Sequence, residues 1–307
     1  MRCSMSANQR LLLLAPDSLT RTPAFDRATE LALALDLPLH IVAIDYLEVL
    51  SVAGLFAPDQ IKRARSGYLE THRQWLWQQA ELARRHGIEV TSEVVWSGDA
   101  YQALQQYVKE MPLALIIKDA QPEPALKRIF FTPLDWRLLR DCPVPVHLVT
   151  DPRHPRPRRI LAIVDVLRSE EQDLVFNDRI VDTAVKLAEQ CNAQVALLHA
   201  FDWTIIYASD MSIGALPLAS GPYEALGQAQ HEAFEALAER HGVGPQQRHF
   251  IEGSPVNGIC TFAADQQIDV IVMGTAGHRG LDRRLGTTAE LLLQRAPCSI
   301  WAVKPDV

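Results

Sequence analysis

Two tandem, doubly wound α/β domains, each built on a five-stranded parallel sheet, are predicted by three features of the 307-residue chain. Its apolar runs are short, continuous and rich in Val, Ile and Leu, as strands covered on both faces must be. Stretches with helical periodicity separate these runs, so strand and helix alternate. The whole set then occurs twice, on either side of a segment rich in proline and arginine.

Met1 to Gln9 is polar and reads as a tail ahead of the first domain, residues 10–150. LLLLAPD from Leu11 predicts its first strand and PLHIVAIDY from Pro38 its second. From Asp59 to Arg85, Ile61, Ala64, Tyr68, Leu69, Trp75, Leu76, Leu82 and Ala83 approximate a helical stripe, with Pro58 just before it and Gly87 just after. RRHGIEVTSEVVWSGD from Arg84, ALIIKDA from Ala114 and CPVPVHLVTD from Cys142 supply the remaining strands. Residues 151–157 form the linker, in which prolines withhold backbone donors while arginine and histidine oppose burial.

The second domain, residues 158–307, repeats the plan. ILAIVDV at Ile160 matches LLLLAPD, and QVALLHAFDW at Gln194 matches PLHIVAIDY. A helix over Tyr223 to Arg240 stops at Gly242, after which ERHGVGPQQRHFIEGSP, DVIVMGTA and APCSIWAVKPD take the remaining strand places.

Composition narrows the function classes. With 48% hydrophobic and 22% charged residues the chain suits a soluble globular fold. A net charge of −7 offers no broad attraction to phosphate backbones or acidic lipid, so no direct nucleic-acid partner is expected. No signal-peptide core or membrane-length apolar run is present, which predicts a cytoplasmic protein without membrane insertion. Cys3, Cys142, Cys191, Cys260 and Cys298 are scattered and lack a C-x-x-C pair, so reduced packing residues are expected rather than a disulfide framework or a zinc site.

Chemistry concentrates in one loop. After DVIVM the chain runs into GTAGHRGLDRRLGTTAELLL, with Gly274, Gly277, Gly280 and Gly286 ahead of a helix opening near Thr287. Glycines let backbone N–H groups approach phosphate oxygens, and a helix N-terminus favours negative charge. Thr287 and Thr288 can donate hydroxyl hydrogen bonds or cap the helix. Equally, glycines here permit a tight strand-to-helix turn. Arg279, Arg283 and Arg284 read as a solvated face of the loop. The loop is not a Walker A motif, since no lysine precedes Thr287. Neither H-E-x-x-H nor G-x-S-x-G occurs, and Trp75, Trp77 and Trp136 read as packing residues on helices. His86 and His241 each precede a helix-ending glycine, where the C-terminal dipole suits a protonated ring.

The half from Arg158 to Val307 resembles a universal stress protein domain. That family carries G-x-x-G, nine residues, then G-[ST]; here Gly274 and Gly277 are followed by eight residues, Gly286 and Thr287. The tandem layout, with FTPLDWRLL from Phe131 in the first half, is similar to the family's two-domain members. The resemblance implies a non-enzymatic stress-response regulatory or binding protein, with a role in resisting stress such as DNA damage. It also implies ATP as ligand of the second half. Asp165 would then contact the adenosine and Ala200 the adenine through its backbone, while Met273, Gly274 and Gly277 line the ribose and phosphates. Gly286, Thr287 and Thr288 would hold the phosphates. No metal is assigned.

The first half departs from the pattern: Lys118 replaces the first glycine, Gln121 the second, and Thr132 with Pro133 the G-[ST] pair. No nucleotide is expected there, and Lys118 and Arg128 are expected to pair with Asp or Glu. The final runs, PVPVHLV at Pro143 and SIWAVK at Ser299, are apolar edge candidates. The resemblance implies that they pair the halves as a pseudo-twofold unit, leaving a further homodimer open. The alternatives are a ligand-free or lipid-binding interaction scaffold and a nucleotide-hydrolysing enzyme. Against the enzyme, neither an SGGxD-like nor an HIGH-like motif is found in the first strand-turn regions.

Overall fold

The computed structural model describes residues 9–16, 18–47, 58–120, 134–150, 153–167, 171–202, 220–275 and 287–305. The chain divides into two compact units, Met1–Arg156 and Pro157–Val307.

In the first unit the order is β1 (Arg10–Ala15), α1 (Pro23–Leu35), β2 (Leu39–Asp45), α2 (Pro58–Arg84), β3 (Val90–Trp96), α3 (Ala100–Glu110), β4 (Leu113–Asp119), α4 (Leu134–Asp141) and β5 (Val146–Val149). The strands lie in the order β3-β2-β1-β4-β5, all parallel. Leu11, Leu12, Leu13, Ile116 and Ile117 are fully buried at its centre, which is why these runs carry no alternating polar residues.

The second unit comprises β6 (Arg159–Ile163), α5 (Glu171–Cys191), β7 (Gln194–Phe201), α6 (Ser220–Arg240), β8 (Arg248–Glu252), α7 (Pro255–Asp265), β9 (Val270–Gly274), α8 (Thr287–Arg295) and β10 (Ser299–Val303). Its parallel order, β8-β7-β6-β9-β10, repeats that of the first. In each unit the chain therefore leaves the central first strand on one side, then returns to pair on the other. The crevice between the first and fourth strands is the switch point at which such sheets take ligands.

Local signals behave as their chemistry requires. Gly87 and Gly242 follow α2 and α6 with φ of +87° and +68°, the left-handed geometry that ends a helix at little cost only in glycine. Cys142, Cys191 and Cys298 are buried, and Cys260 is half-buried. His154 and Arg156, from the proline-rich segment, lie on α1. The Arg27 guanidinium donates to the His154 carbonyl at 3.1 Å, and Arg156 pairs with Glu30 at 3.0 Å.

The α2 stripe is only partly as the sequence suggests. Leu69, Leu76 and Ala83 are buried, but Ala64 and Leu82 are exposed. His72 and Gln79 turn inward instead, because the true 3.6-residue stripe runs through 69, 72, 76, 79 and 83. Each finds a polar partner: His72 Nδ1 lies 2.6 Å from the buried Asp45 carboxylate, and Gln79 accepts from Arg21 at 3.0 Å. Trp75 packs edge-on against Phe25, whereas Trp77 is 56% exposed and departs from the packing expectation.

Asp99 caps α3. Its Oδ1 accepts from the Tyr101 and Gln102 N–H groups at 3.0 and 3.1 Å and also meets Arg137. The Gln102 N–H bond leads the causes that hold its carboxyl below the ordinary range, and the Arg137 charge adds to it. A carboxyl lowered on folding stabilises above its unfolded value and loses that contribution as pH falls through its folded value. Asp99→Ala is therefore expected to cost the first unit about 1 kcal/mol at neutral pH. The difference from the parent should close at pH below the usual carboxylate range, as read by urea unfolding across pH.

Candidate functional site

At the second switch point, four residues named by the sequence resemblance stand at strand ends. Asp165 lies two residues beyond β6, Ala200 is the penultimate residue of β7, and Met273 and Gly274 close β9. β6 and β9 are direct neighbours, with Ile163 opposite Met273. Asp165 is exposed, Ala200 and Gly274 are half-buried, and Met273 is buried. Gly277, Gly280, Gly286 and the three loop arginines lie outside the described residues. α8 begins at Thr287 as the sequence suggests.

The turn carrying Asp165 is held from two sides. Asn177, buried on α5, accepts from the Asp165 N–H at 3.3 Å and donates to the Asp165 carbonyl at 2.7 Å. His199, on β7 and 2% exposed, sets Nδ1 3.0 Å from the Val164 carbonyl; since a carbonyl only accepts, Nδ1 carries the proton. Its Nε2 then accepts, and lies 3.0 Å from the side-chain amide of Gln230 on α6. Asp165 Oδ1 accepts from the Leu167 N–H at 3.0 Å, closing an Asx-type turn. Among the described residues Oδ2 has no hydrogen bond, which leaves it able to accept one.

Gly274 has a packing reason for its missing side chain. A Cβ there would fall 2.4 Å from Phe176 Cε1 and 3.1 Å from Ile180 Cδ1. Phe176 and Asn177 are consecutive on α5, so one helical turn covers the end of β9 and fixes the end of β6.

The first switch point is built differently. Asp119 and Gly274 each end their fourth strand and each pair with the last residue of the fifth, Val149 and Val303. The next N–H donates to that same residue's carbonyl in both units, from Ala120 and from Thr275. By this register Asp119, rather than Lys118, stands in the place of Gly274, a one-residue correction to the sequence correspondence. The Asp119 carboxylate accepts from the Thr22 hydroxyl and from the Ala24 N–H at 3.2 Å, in the first turn of α1. Burial raises its pKa despite these bonds. Lys118 pairs with Asp135, as expected of it, while Arg128, Gln121, Thr132 and Pro133 lie outside the described residues. An anion approaching this corner meets a carboxylate already seated on the helix N-terminus. A groove of about 500 Å³ lined by Arg73, Trp77, Glu93 and neighbours lies beside mid-strand β3, not at the strand ends.

Sequence reading did not single out Asn177, Phe176 or His199. The signal for Asn177 was present: it is the one polar member of an otherwise apolar buried stripe, Asn177, Ile180, Val181, Ala184, Leu187, Ala188 and Cys191. His241, assigned to a helix end, also bridges Asp178 and Asp182 of α5 at 2.7 and 3.0 Å. Among the described residues no group of three His, Cys, Asp or Glu side chains could hold a metal ion, and no helix is long and apolar enough to cross a membrane.

The fold defines a tandem α/β protein in which the second parallel sheet brings Asp165, Met273 and Gly274 to the strand ends at its switch point. The chain belongs to the universal stress protein family, whose sequence profile matches residues 8–150 and again 157–304. It is 30% identical over 258 residues to the universal stress protein E homolog of Haemophilus influenzae, covering 83% of this chain and 82% of that protein. It is 28% identical over 305 residues to universal stress protein E of Escherichia coli K12, covering 98% and 96%. Among solved structures, a putative universal stress protein from Pseudomonas aeruginosa superposes with a TM-score of 0.71 at 24% identity, over 98% of this chain and 94% of that one.

Proposed function

We propose that this is a non-enzymatic stress-response binding protein that takes ATP at the switch point of its second unit and no nucleotide at the first. The observation that supports this reading is the contrast between the two corners. In the first, the Asp119 carboxylate already satisfies the start of α1 and would repel phosphate. In the second, that strand position is Gly274, and Asp165 offers a free carboxylate oxygen at the neighbouring strand end. Ala200, Met273, Gly277, Gly286, Thr287 and Thr288 complete the proposed site, the last three holding phosphate through backbone and hydroxyl donors. No step of ATP hydrolysis is part of the reading. A cytoplasmic location, and pairing of the two halves within one chain through their final strands, belong to the same proposal.

Calorimetric titration of ATP into the parent, Gly277→Val and Gly98→Val tests it. Gly98 belongs to the first unit, and an added Cβ would make only ordinary contact with the Tyr46 ring at 3.4 Å. The expected result is binding by the parent and by Gly98→Val, with loss in Gly277→Val because a branched side chain blocks phosphate approach. Unchanged affinity in Gly277→Val, or loss only in Gly98→Val, would place the site elsewhere.

A further inference from the structure

The Asp165 peptide lies past the end of β6, where the sheet ladder no longer supplies a partner for its N–H or its carbonyl. Asn177 supplies both. Its amide acts as a short strand edge, Oδ1 accepting at 3.3 Å and Nδ2 donating at 2.7 Å. The orientation of that amide is forced, since the flipped form would set donor against donor and acceptor against acceptor. Asn177 is 5% exposed, and its two hydrogen bonds to Asp165 are half-buried. A side chain that holds the N–H and the carbonyl on either side of one Cα also fixes the direction in which that residue's Cα–Cβ bond leaves the chain. Here that bond carries the Asp165 carboxylate, with one oxygen tied to the Leu167 N–H and the other without a hydrogen bond among the described residues.

We infer that Asn177 is a positioning residue for ligand recognition, holding the Asp165 carboxylate at the angle from which its free oxygen accepts hydrogen bonds from the hydroxyls of a nucleotide's ribose. The inference rests on the ATP reading above and extends it to the ligand's sugar. Asn177 touches no ligand atom. Its influence passes through Asp165, so it acts on the nucleoside part of the ligand and not on the phosphates.

The test uses the full chain and two probes, ATP and inorganic triphosphate, titrated into the parent, Asn177→Ala, Asp165→Ala and the double variant at a temperature where circular dichroism shows all four folded. Asn177→Ala is expected to weaken ATP about tenfold, the scale of one misplaced hydrogen-bonded contact. Affinity for triphosphate should stay unchanged, and Asp165→Ala should cost nothing further in the Asn177→Ala background. A merely structural role would weaken both probes together. Should Asn177→Ala fail to fold, Asn177→Ser, which retains a polar group too short to reach both peptide atoms, takes its place with the same expected pattern. ATP binding by the parent with additive losses from the two single variants would overturn the inference and leave the nucleotide site standing. No ATP binding by the parent would overturn the nucleotide reading and the inference with it.

Discussion

Asp269→Ala is expected to destabilise the second unit by about 2–3 kcal/mol, through the loss of two hydrogen bonds to one carboxylate oxygen. Asp269 stands immediately before β9 and is 6% exposed. Its Oδ2 accepts from the backbone N–H groups of Arg158 and Arg159 at 2.8 and 3.0 Å, where the chain enters β6. Its own N–H donates to the Arg159 carbonyl at 2.9 Å. The carboxylate therefore sets the register of the two central strands that flank the switch point. Alanine leaves two donors without their charged partner. Because the Arg158 and Arg159 side chains are exposed, water can reach this edge and keeps the cost below the sum of two buried charged bonds. Asp269→Asn retains an acceptor oxygen and should lose about half as much. Native-state hydrogen exchange of the β6 and β9 amides reads the effect in the unit concerned, which a single unfolding curve of a two-unit chain does not. Unchanged protection of β6 in Asp269→Ala would count against this role.

Gly274→Ala is expected to cost about 1–3 kcal/mol by overpacking. The new methyl would meet Phe176 at 2.4 and 2.7 Å, inside any real carbon contact, and Ile180 at 3.1 Å. Ile180 is 3% exposed and has nowhere to go, whereas the half-buried Phe176 ring can swing outward only by giving up its cover of β9. Phe176→Ala removes the nearest obstacle, so in that background Gly274→Ala should cost clearly less, with only the tight Ile180 contact left. The coupling read from the four-variant cycle is the signature of a direct clash. An equal cost of Gly274→Ala in both backgrounds would show that Phe176 is not what the glycine accommodates.

Asp119 and Gly274 show where reading from sequence reached its limit. Both belong to loops whose composition announces a difference: KDAQPEPALKR has no glycine, GTAGHRGLDRRLG has several. The difference is legible because backbone access is a property of residue type. The register is not. Matching the two runs as text puts Lys118 opposite Gly274, and only the pairing with Val149 and Val303 shows that Asp119 is the residue in that place. With the register comes the physical meaning, since Asp119 reaches the first turn of α1, nearly a hundred residues earlier in the chain, at Ala24 Nα.

Legible in the chain alone were the repeat, the strand and helix alternation, the helix stops at Gly87 and Gly242 and the strand that ends at the glycine-rich run. Each of these follows from local periodicity, from a glycine's access to positive φ, or from comparing the chain with itself. Which polar residues turn inward, and whom they meet, depends on how the elements pack. His72 reaches Asp45, Asn177 closes on the Asp165 peptide, and Phe176 claims the space beside Gly274. These partners lie on separate elements, and a helix's rotation about its axis, set by the whole apolar stripe packing on the sheet, decides which of them come within hydrogen-bond or van der Waals reach.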